Sequence, residues 1–450
     1  MELKCKAITA VLLALASTAW AGWELETVAS EGDVGDGCCL AVDRWGRPHI
    51  SYVDKTGGNV MYARYVDSSW EFEAVASDVD VPGNTAIALD PTDKPHIIFH
   101  DAKTGELTYA YRSGTNWLTE TVYTRSGYFF QFVSITAWPP GPRVSYSMVG
   151  SSSPSLSYAY RDGEGWHPTG VSSGGGQSNT LFLDDNNNPN IVYYNISTSS
   201  VRRAVLKNEE WSIDDIAEGV DPGAVVGPDD KIHVGFPTLS NDGLNYAVST
   251  SGGSWKIENV PRVVGEPAYT DIAVNAAANV FLSYFNFNKS NLHVMIKKGA
   301  AWTHEVVATG AYVGLPHSSG VTGSRPMIAY YHGDKQDLML ARYDPNLGIE
   351  PLIPADRHPG EAKPGTFALF QNVPNPASGS TTFSFELAEG SNVKLAVYDA
   401  AGRKVADVAH RYFAAGRHDV PFTRELAPGV YVYRLDAGAK TAARKMVVIK

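Results

Sequence analysis

Apolar side chains along this chain come in short runs rather than in the three-and-four spaced stripes of helices. Residues 40–76, LAVDRWGRPHISYVDKTGGNVMYARYVDSSWEFEAVA, hold four such runs: 40–42, 49–53, 60–65 and 70–76. Each is rich in Val, Ile, Tyr, Phe or Trp and is bounded by Gly, Asp, Ser or Pro. Ile50 and Tyr52 alternate with His49 and Ser51, the two-residue period of a half-buried strand. Four short runs between turn residues predict four successive antiparallel strands.

The pattern then repeats. A Trp opens the fourth strand at Trp23, Trp70, Trp117, Trp166, Trp211, Trp255 and Trp302, a period of 44–49 residues. The third strand carries Ala63, Ala110, Ala159, Ala204, Ala247 and Ala341, with Met295 in the sixth unit. The second strand recurs as His49-Ile50-Ser51-Tyr52, His96-Ile97-Ile98-Phe99, Arg143-Val144-Ser145-Tyr146, Asn190-Ile191-Val192-Tyr193, His233-Val234-Gly235-Phe236, Phe281-Leu282-Ser283-Tyr284 and Met327-Ile328-Ala329-Tyr330. One four-stranded sheet cannot cover both of its faces, but radial stacking of sheets covers them. Seven copies predict an all-β fold with a seven-bladed β-propeller over 22–344. The first Trp strand precedes the first complete unit, and the last unit ends at Tyr343 without a Trp strand of its own. Residues 23–28 are therefore expected to pair with 338–343 and close the ring. The repeat resembles those of uncharacterised secreted bacterial proteins, a likeness that supplies no activity.

The N-terminus reads as a secretory signal over 1–21: Lys4 and Lys6, an apolar run from Ala7 to Ala16, then Ala19-Trp20-Ala21 before Gly22. That run is too short to span a bilayer, and no other segment is a transmembrane candidate. The net charge of −11 makes nucleic acid and anionic membrane poor partners. Cys38 and Cys39 are adjacent in the first inner strand. Two buried thiols facing opposite ways, a strained vicinal disulfide and an intermolecular link all stay open. Two cysteines alone make no metal site.

A Pro-rich linker is expected over 345–366. From Phe367 the strands alternate more cleanly, as in 382–385 and 393–398, and Asp399-Ala400-Ala401-Gly402-Arg403 reads as a hairpin turn. Some seven short strands predict a small Ig-like β-sandwich over 367–450. This region resembles the type A C-terminal sorting domain of the type IX secretion system, itself similar to the flagellar hook-capping Ig-like domain. The resemblance is carried by 371–376 with Asn375 and Pro376, by Tyr398 and Asp399 with Gly402 and Arg403, and by Gly416-Arg417-His418. Gly429 and Tyr431 and the basic end from Lys445 to Lys450 complete it. It implies recognition by the secretion translocon, export across the outer membrane, and a place at the cell surface or outside the cell.

In a propeller the turns after the second strands and the loops leading into the inner strands share one face. Those positions hold Asp54, His100, Asp101, Tyr194, Asn195, Phe285, Asn286, Tyr331 and His332, with Tyr128-Phe129-Phe130 in one inbound loop. They form the candidate ligand-binding face. Three consecutive aromatics cannot all face one core, so at least one is expected to be exposed. His49, His96 and His233 share their position with Arg143, Asn190, Phe281 and Met327, which points to packing rather than metal binding. No cofactor is indicated. Calcium at Asp33/Asp36 or Asp78/Asp80 is a metal to consider, although turn chemistry explains those carboxylates equally well. No Gly-x-Ser-x-Gly, His-Glu-x-x-His or phosphate loop appears. Gly turns before Trp117, Trp166 and Trp255 faintly resemble the sialidase Asp-box but lack its Asp. The leading expectation is a non-enzymatic binding protein for a glycan or a protein. A carbohydrate-active enzyme, with Asp54 and Asp101 as a carboxylate pair, and a structural surface component are the alternatives.

Overall fold

The computed structural model describes residues 22–344 except 138–140, 152, 185 and 323–324. It also describes residues 367–448 except 371, 379, 388–389, 400–402, 414–415, 424–425 and 439. The expected leader (1–21) and linker (345–366) lie outside the described residues. The chain divides into two compact units, Met1–Pro351 and Leu352–Lys450.

The described residues of the first unit form seven four-stranded antiparallel sheets. Blade 1 runs outward through Val34–Val42, Pro48–Asp54, Asn59–Val66 and Ser69–Ser77. The inner strands of blades 2 to 7 begin at Ala86, Phe129, Gly175, Gly223, Pro267 and Val313. Each lies against the next, and the seventh lies against the first. Blade 7 takes its outermost strand from the other end of the unit: Trp23–Ala29 runs antiparallel to Asp337–Tyr343, from Trp23 opposite Tyr343 to Ala29 opposite Leu338. The ring closes as the repeat count predicts, and every blade has four strands.

Between blades the second-strand aromatics do the filling. Tyr52, Phe99, Tyr146, Tyr193, Phe236, Tyr284 and Tyr330 are all at most 2% exposed. The outermost strands are tied by a Trp and the residue three places after it. Trp70 Nε1 donates to Glu26 of the preceding blade at 2.7 Å, Trp117 to Glu73 at 2.9 Å, Trp302 to Glu258 at 2.8 Å and Trp23 to Glu305 at 2.9 Å. Among the described residues the Trp166 and Trp255 indole N–H groups have no partner, with Glu120 and Asp214 respectively at that place in the preceding blade. The repeated histidines are structural, as their neighbours in the repeat suggest. His49, His96 and His233 each meet a third-strand tyrosine, Tyr62, Tyr109 and Tyr246, through Nδ1. Their Nε2 atoms face Asp43, Asp90 and Asp229. Burial lowers the pKa of His49 and His96. Cys38 and Cys39 are thiols that pack into different inter-blade clusters, as successive strand residues must. Burial raises both pKa values.

The second unit is a sandwich with eight described strands. One sheet holds Ser380–Leu387 between Ala368–Leu369 and Gly416–Phe422. The other runs Lys404–Phe413, Ser391–Asp399, Gly429–Ala437, Lys440–Val448. Val373–Ser378 pairs with a strand of each. Alternate residues Phe383, Phe385 and Leu387 meet Leu395, Tyr433 and Leu435 in the core. At the ends of the turn expected at 399–403, Asp399 N–H donates to Arg403 O, and the Asp399 carboxylate accepts from Arg403 N–H and its guanidinium; residues 400–402 lie outside the described residues.

Candidate functional site

Backbone hydrogen bonds lock the turns after the second strands to the inbound loops. Lys55 N–H donates to Asp33 O, Ala102 to Asp80 O, Ser197 to Gly174 O and Phe287 to Glu266 O, at 2.7 to 3.1 Å. The last turn residue before the third strand is left-handed in blade after blade: Gly58, Gly105, Ser199, Ser290 and Gln336. Glycine meets that need without strain at two of the five positions. These turns and loops form one face.

The side chains at the second-strand ends mostly serve their own turns. Asp54 accepts the Gly57 N–H at 2.7 Å and the Asn59 amide at 3.1 Å. Asp101, 5% exposed, accepts from Asp80 N–H, Lys103 N–H and the Thr104 hydroxyl. Asn195 caps Ser197 and Thr198, and Asn286 donates to Val264 O. Both asparagines are buried, as are His100 and His332. Phe285 is core rather than face, at 1% exposed. Tyr331 donates to Asp33 at 2.8 Å, and Tyr194 is half-buried. The aromatic triplet splits as expected. Phe130 is buried, Phe129 is 51% exposed, and Tyr128 is half-buried under the Arg125 guanidinium. His100 contacts both phenylalanine rings. Asp36 and Asp78 already meet Lys55 and Lys103, so an ammonium stands where calcium would. Among the described residues no three His, Cys, Asp or Glu side chains converge as metal ligands.

Solvent meets a different set of side chains on this face. Ile196, Leu239 and Phe287 each follow the turn cap in blades 4, 5 and 6 and are 46%, 46% and 49% exposed. Val264 and Tyr269, and Tyr312 in the inbound loop of blade 7, are also exposed. The Tyr269 ring is 6.3 Å from Phe287, and Phe287 is 5.2 Å from Phe285. Tyr269 sits at a bulge of the inner strand with φ +47, an uncommon backbone state for a bulky residue. Blades 7 to 2 carry Asp33, Asp36, Lys55, Asp78, Lys103, Asp334 and Lys335, and blades 5 and 6 carry exposed Asp242, Arg262, Glu266 and Lys289 among their apolar residues. The exposed apolar arc over blades 4–6 is thus interspersed with charge. A position-by-position alignment of the turns would have found its first three members, because the residue after the cap is Lys55 or Ala102 in blades 1 and 2.

Mid-channel, blade 6 contributes Asp271. Its carboxylate accepts from Ser319 N–H of blade 7 at 2.6 Å and from Ile272 N–H at 2.8 Å. Burial pushes its pKa up to about 6. The Ser318 hydroxyl of blade 7 lies against Cys39 Sγ of blade 1 at 3.8 Å and accepts the Leu40 N–H at 3.1 Å. These contacts tie blades 6, 7 and 1 together at the axis.

In the second unit, Tyr433 donates to Phe370 O and accepts the Asn372 N–H. That pins the segment leading into Val373–Ser378, which contains Asn375 and Pro376. Tyr431 donates to Ala427 O beyond Gly429. Tyr398 and Asp399 end one strand, and Lys445 lies in the last strand. Gly402 and Lys450 fall outside the described residues, as do the side chains of Asn375 and Pro376.

No helix among the described residues is long and apolar enough to cross a membrane. No curated protein matches the chain. Among solved structures, a protein of unknown function from Dyadobacter fermentans is similar at 11% identity and TM-score 0.44, covering 71% of this chain and 98% of that one. An ulvan lyase of polysaccharide lyase family PL25 is similar at 12% identity and TM-score 0.49, covering 70% and 94%. The polysaccharide lyase Uly1 is similar at 10% identity and TM-score 0.46, covering 75% and 94%. Likeness at this level says nothing of activity. Residues 373–450 match the family described as the secretion system C-terminal sorting domain, in agreement with the motifs read from the sequence. The chain thus carries a type IX sorting domain behind a seven-bladed propeller and is addressed to the cell surface or the extracellular space.

Proposed function

We propose that the exported propeller is a binding protein that takes an extracellular glycan on its loop face. The observation that carries this reading is the apolar arc over blades 4–6, with the exposed Tyr269 and Phe287 rings in contact and Tyr312 exposed in the next inbound loop. Exposed aromatic rings offer flat apolar surface to the CH faces of sugars, and their few rotatable bonds make ordering cheap. A protein partner is the second reading, favoured by the aliphatic members Ile196, Leu239 and Val264. An enzymatic reading has less support. Asp54 and Asp101, the carboxylate pair considered from the sequence, are occupied by their own turns.

The test is a glycan array and a pull-down with the secreted chain, repeated with Phe287→Ala and Tyr312→Ala combined. Loss of two stacking rings is expected to weaken glycan binding at least about tenfold. The thermal midpoint should fall only slightly, because about half of Phe287 and most of Tyr312 are in water. An empty array together with an empty pull-down would remove the proposal. Turnover of a polysaccharide by the purified chain would replace it with the enzymatic reading.

A further inference from the structure

We propose that the cleft between blades 2 and 3 binds a carboxylate-bearing sugar, independently of the apolar arc. The cleft encloses about 450 Å³, with Tyr123 and Arg125 on the blade 2 side and Tyr146, Ser157 and Gly170 on the blade 3 side. One pair of positions opens it. In each blade a third-strand residue faces one on the outermost strand at the same level. The pairs are Met61 with Ala74, Thr108 with Thr121, and Arg202 with Asp215. Further round they are Asn245 with Asn259, His293 with Val306, and Met339 with Thr27. In blade 3 the pair is Ser157 with Gly170, the smallest of the seven. The aromatic of the adjoining second strand is kept as Tyr146. A ring that bulkier pairs overlie elsewhere becomes the back wall of a hollow.

The lining is also poor in negative charge. The lining has no acidic residue, although the chain has 48 Asp and Glu. Its one charged side chain is Arg125. Arg64, Arg112, Arg161, Arg202 and Arg342 each meet a carboxylate; among the described residues Arg125, like Arg143, Arg203 and Arg262, forms no ion pair. Its Cζ lies 4.1 Å from the Tyr128 ring centroid, and its nearest polar contact is the Met148 sulfur at 3.8 Å. A guanidinium laid on a ring keeps its N–H edge available, and that edge matches a carboxylate bidentately. Ser155 and Ser157 supply hydroxyls on the face turned to blade 2, and Tyr146 supplies a ring. One cation, two hydroxyls and an aromatic wall are the complement of a sugar acid. The volume falls in the range of roughly 300–1,000 Å³ usual for small-ligand sites.

The experiment measures D-glucuronate binding to the secreted chain by calorimetry, with D-glucose as the neutral twin. Glucuronate is expected to bind at least about tenfold more tightly than glucose, and Arg125→Gln to remove that preference. Ser157→Met installs the side chain that blades 1 and 7 hold at this level, so it should fill the hollow and block binding, with some fall of the thermal midpoint because Ser157 is buried. Phe287→Ala with Tyr312→Ala should leave glucuronate binding intact. That arm separates failure of the cleft from failure of the arc. No glucuronate binding, equal binding of glucose, or full affinity in Arg125→Gln would overturn the proposal. Loss of glucuronate binding in the arc variant would overturn it too, by moving the acid to the other site.

Discussion

Replacing Trp23 with alanine is expected to lower the thermal midpoint of the propeller by roughly 10 °C. Trp23 is fully buried and opens the strand that closes the ring. Its ring packs edge-on against Tyr343 at 5.2 Å, within a cluster shared with Phe281, Val294 and Ile328. Truncating a buried Trp costs about 3–5 kcal/mol. It also strips Glu305 of its indole donor. Glu305 already has a raised pKa because it is buried, so its carboxylate would be left poorly solvated. For a domain of this size about 2–4 °C accompanies each kcal/mol, which sets the scale of the shift. The internal comparison makes the test sharp. Trp255 occupies the same repeat position but is half-buried and lacks a hydrogen-bond partner, so Trp255→Ala should cost clearly less. Equal losses for the two variants, read by thermal unfolding, would show that ring closure is not where the stability concentrates.

Acidification from pH 6.5 to about 4 is expected to destabilise the propeller by several kcal/mol, through buried histidines. Burial lowers the His317 pKa to about 4, against a hydrogen bond to Gly314 O that works the other way. Burial lowers His293 to about 4 as well, helped by the charge of His304, whose Nε2 lies 2.8 Å from His293 Nδ1. Between pH 6.5 and 4 the unfolded chain takes up protons that the folded imidazoles refuse. Stability therefore falls with falling pH, by about 3 kcal/mol per histidine at 1.36 kcal/mol per pH unit. Asp271 runs the opposite way. Its pKa is raised to about 6 by burial, so the folded state holds a proton that the unfolded state has released. Its contribution grows as pH falls from about 6 toward 3.8, by about 3 kcal/mol. Two histidines outweigh one aspartate, and the net is a loss. Midpoints measured across this window should fall toward acid. His317→Gln should flatten the slope, and Asp271→Asn, which removes the opposing group, should steepen it. A midpoint independent of pH between 6.5 and 4 would contradict the burial of these imidazoles.

How much of this was legible beforehand follows from what each feature depends on. The Trp period, the second-strand motif and the orphan first strand are properties of spacing, so the count of blades and the pairing of Trp23 with Tyr343 could be read directly. The sharing of the loop face by inbound loops and second-strand turns also follows from connectivity. What those turns hold did not follow. Asp54, Asp101, Asn195 and Asn286 look like ligand groups in a string of letters, yet a carboxylate or amide at a strand end finds nearby backbone N–H groups first. Phe285 and Phe287 are two residues apart, and pleat alone would put them on one side. The turn between them sends Phe285 into the core and Phe287 into water.

By itself the sequence determined the seven-sheet ring, its closing strand, the C-terminal sandwich and the export signal, because local periodicity and contiguous motifs encode all four. Only the tertiary structure decided which residues are free to meet a ligand. The apolar arc needs three successive turns side by side on one face. The cleft needs Ser157 set against Gly170, with Arg125 of the neighbouring blade left without a carboxylate. Accessibility and charge at such points are set by partners distant in the chain, and those partners exist only once the strands are in register.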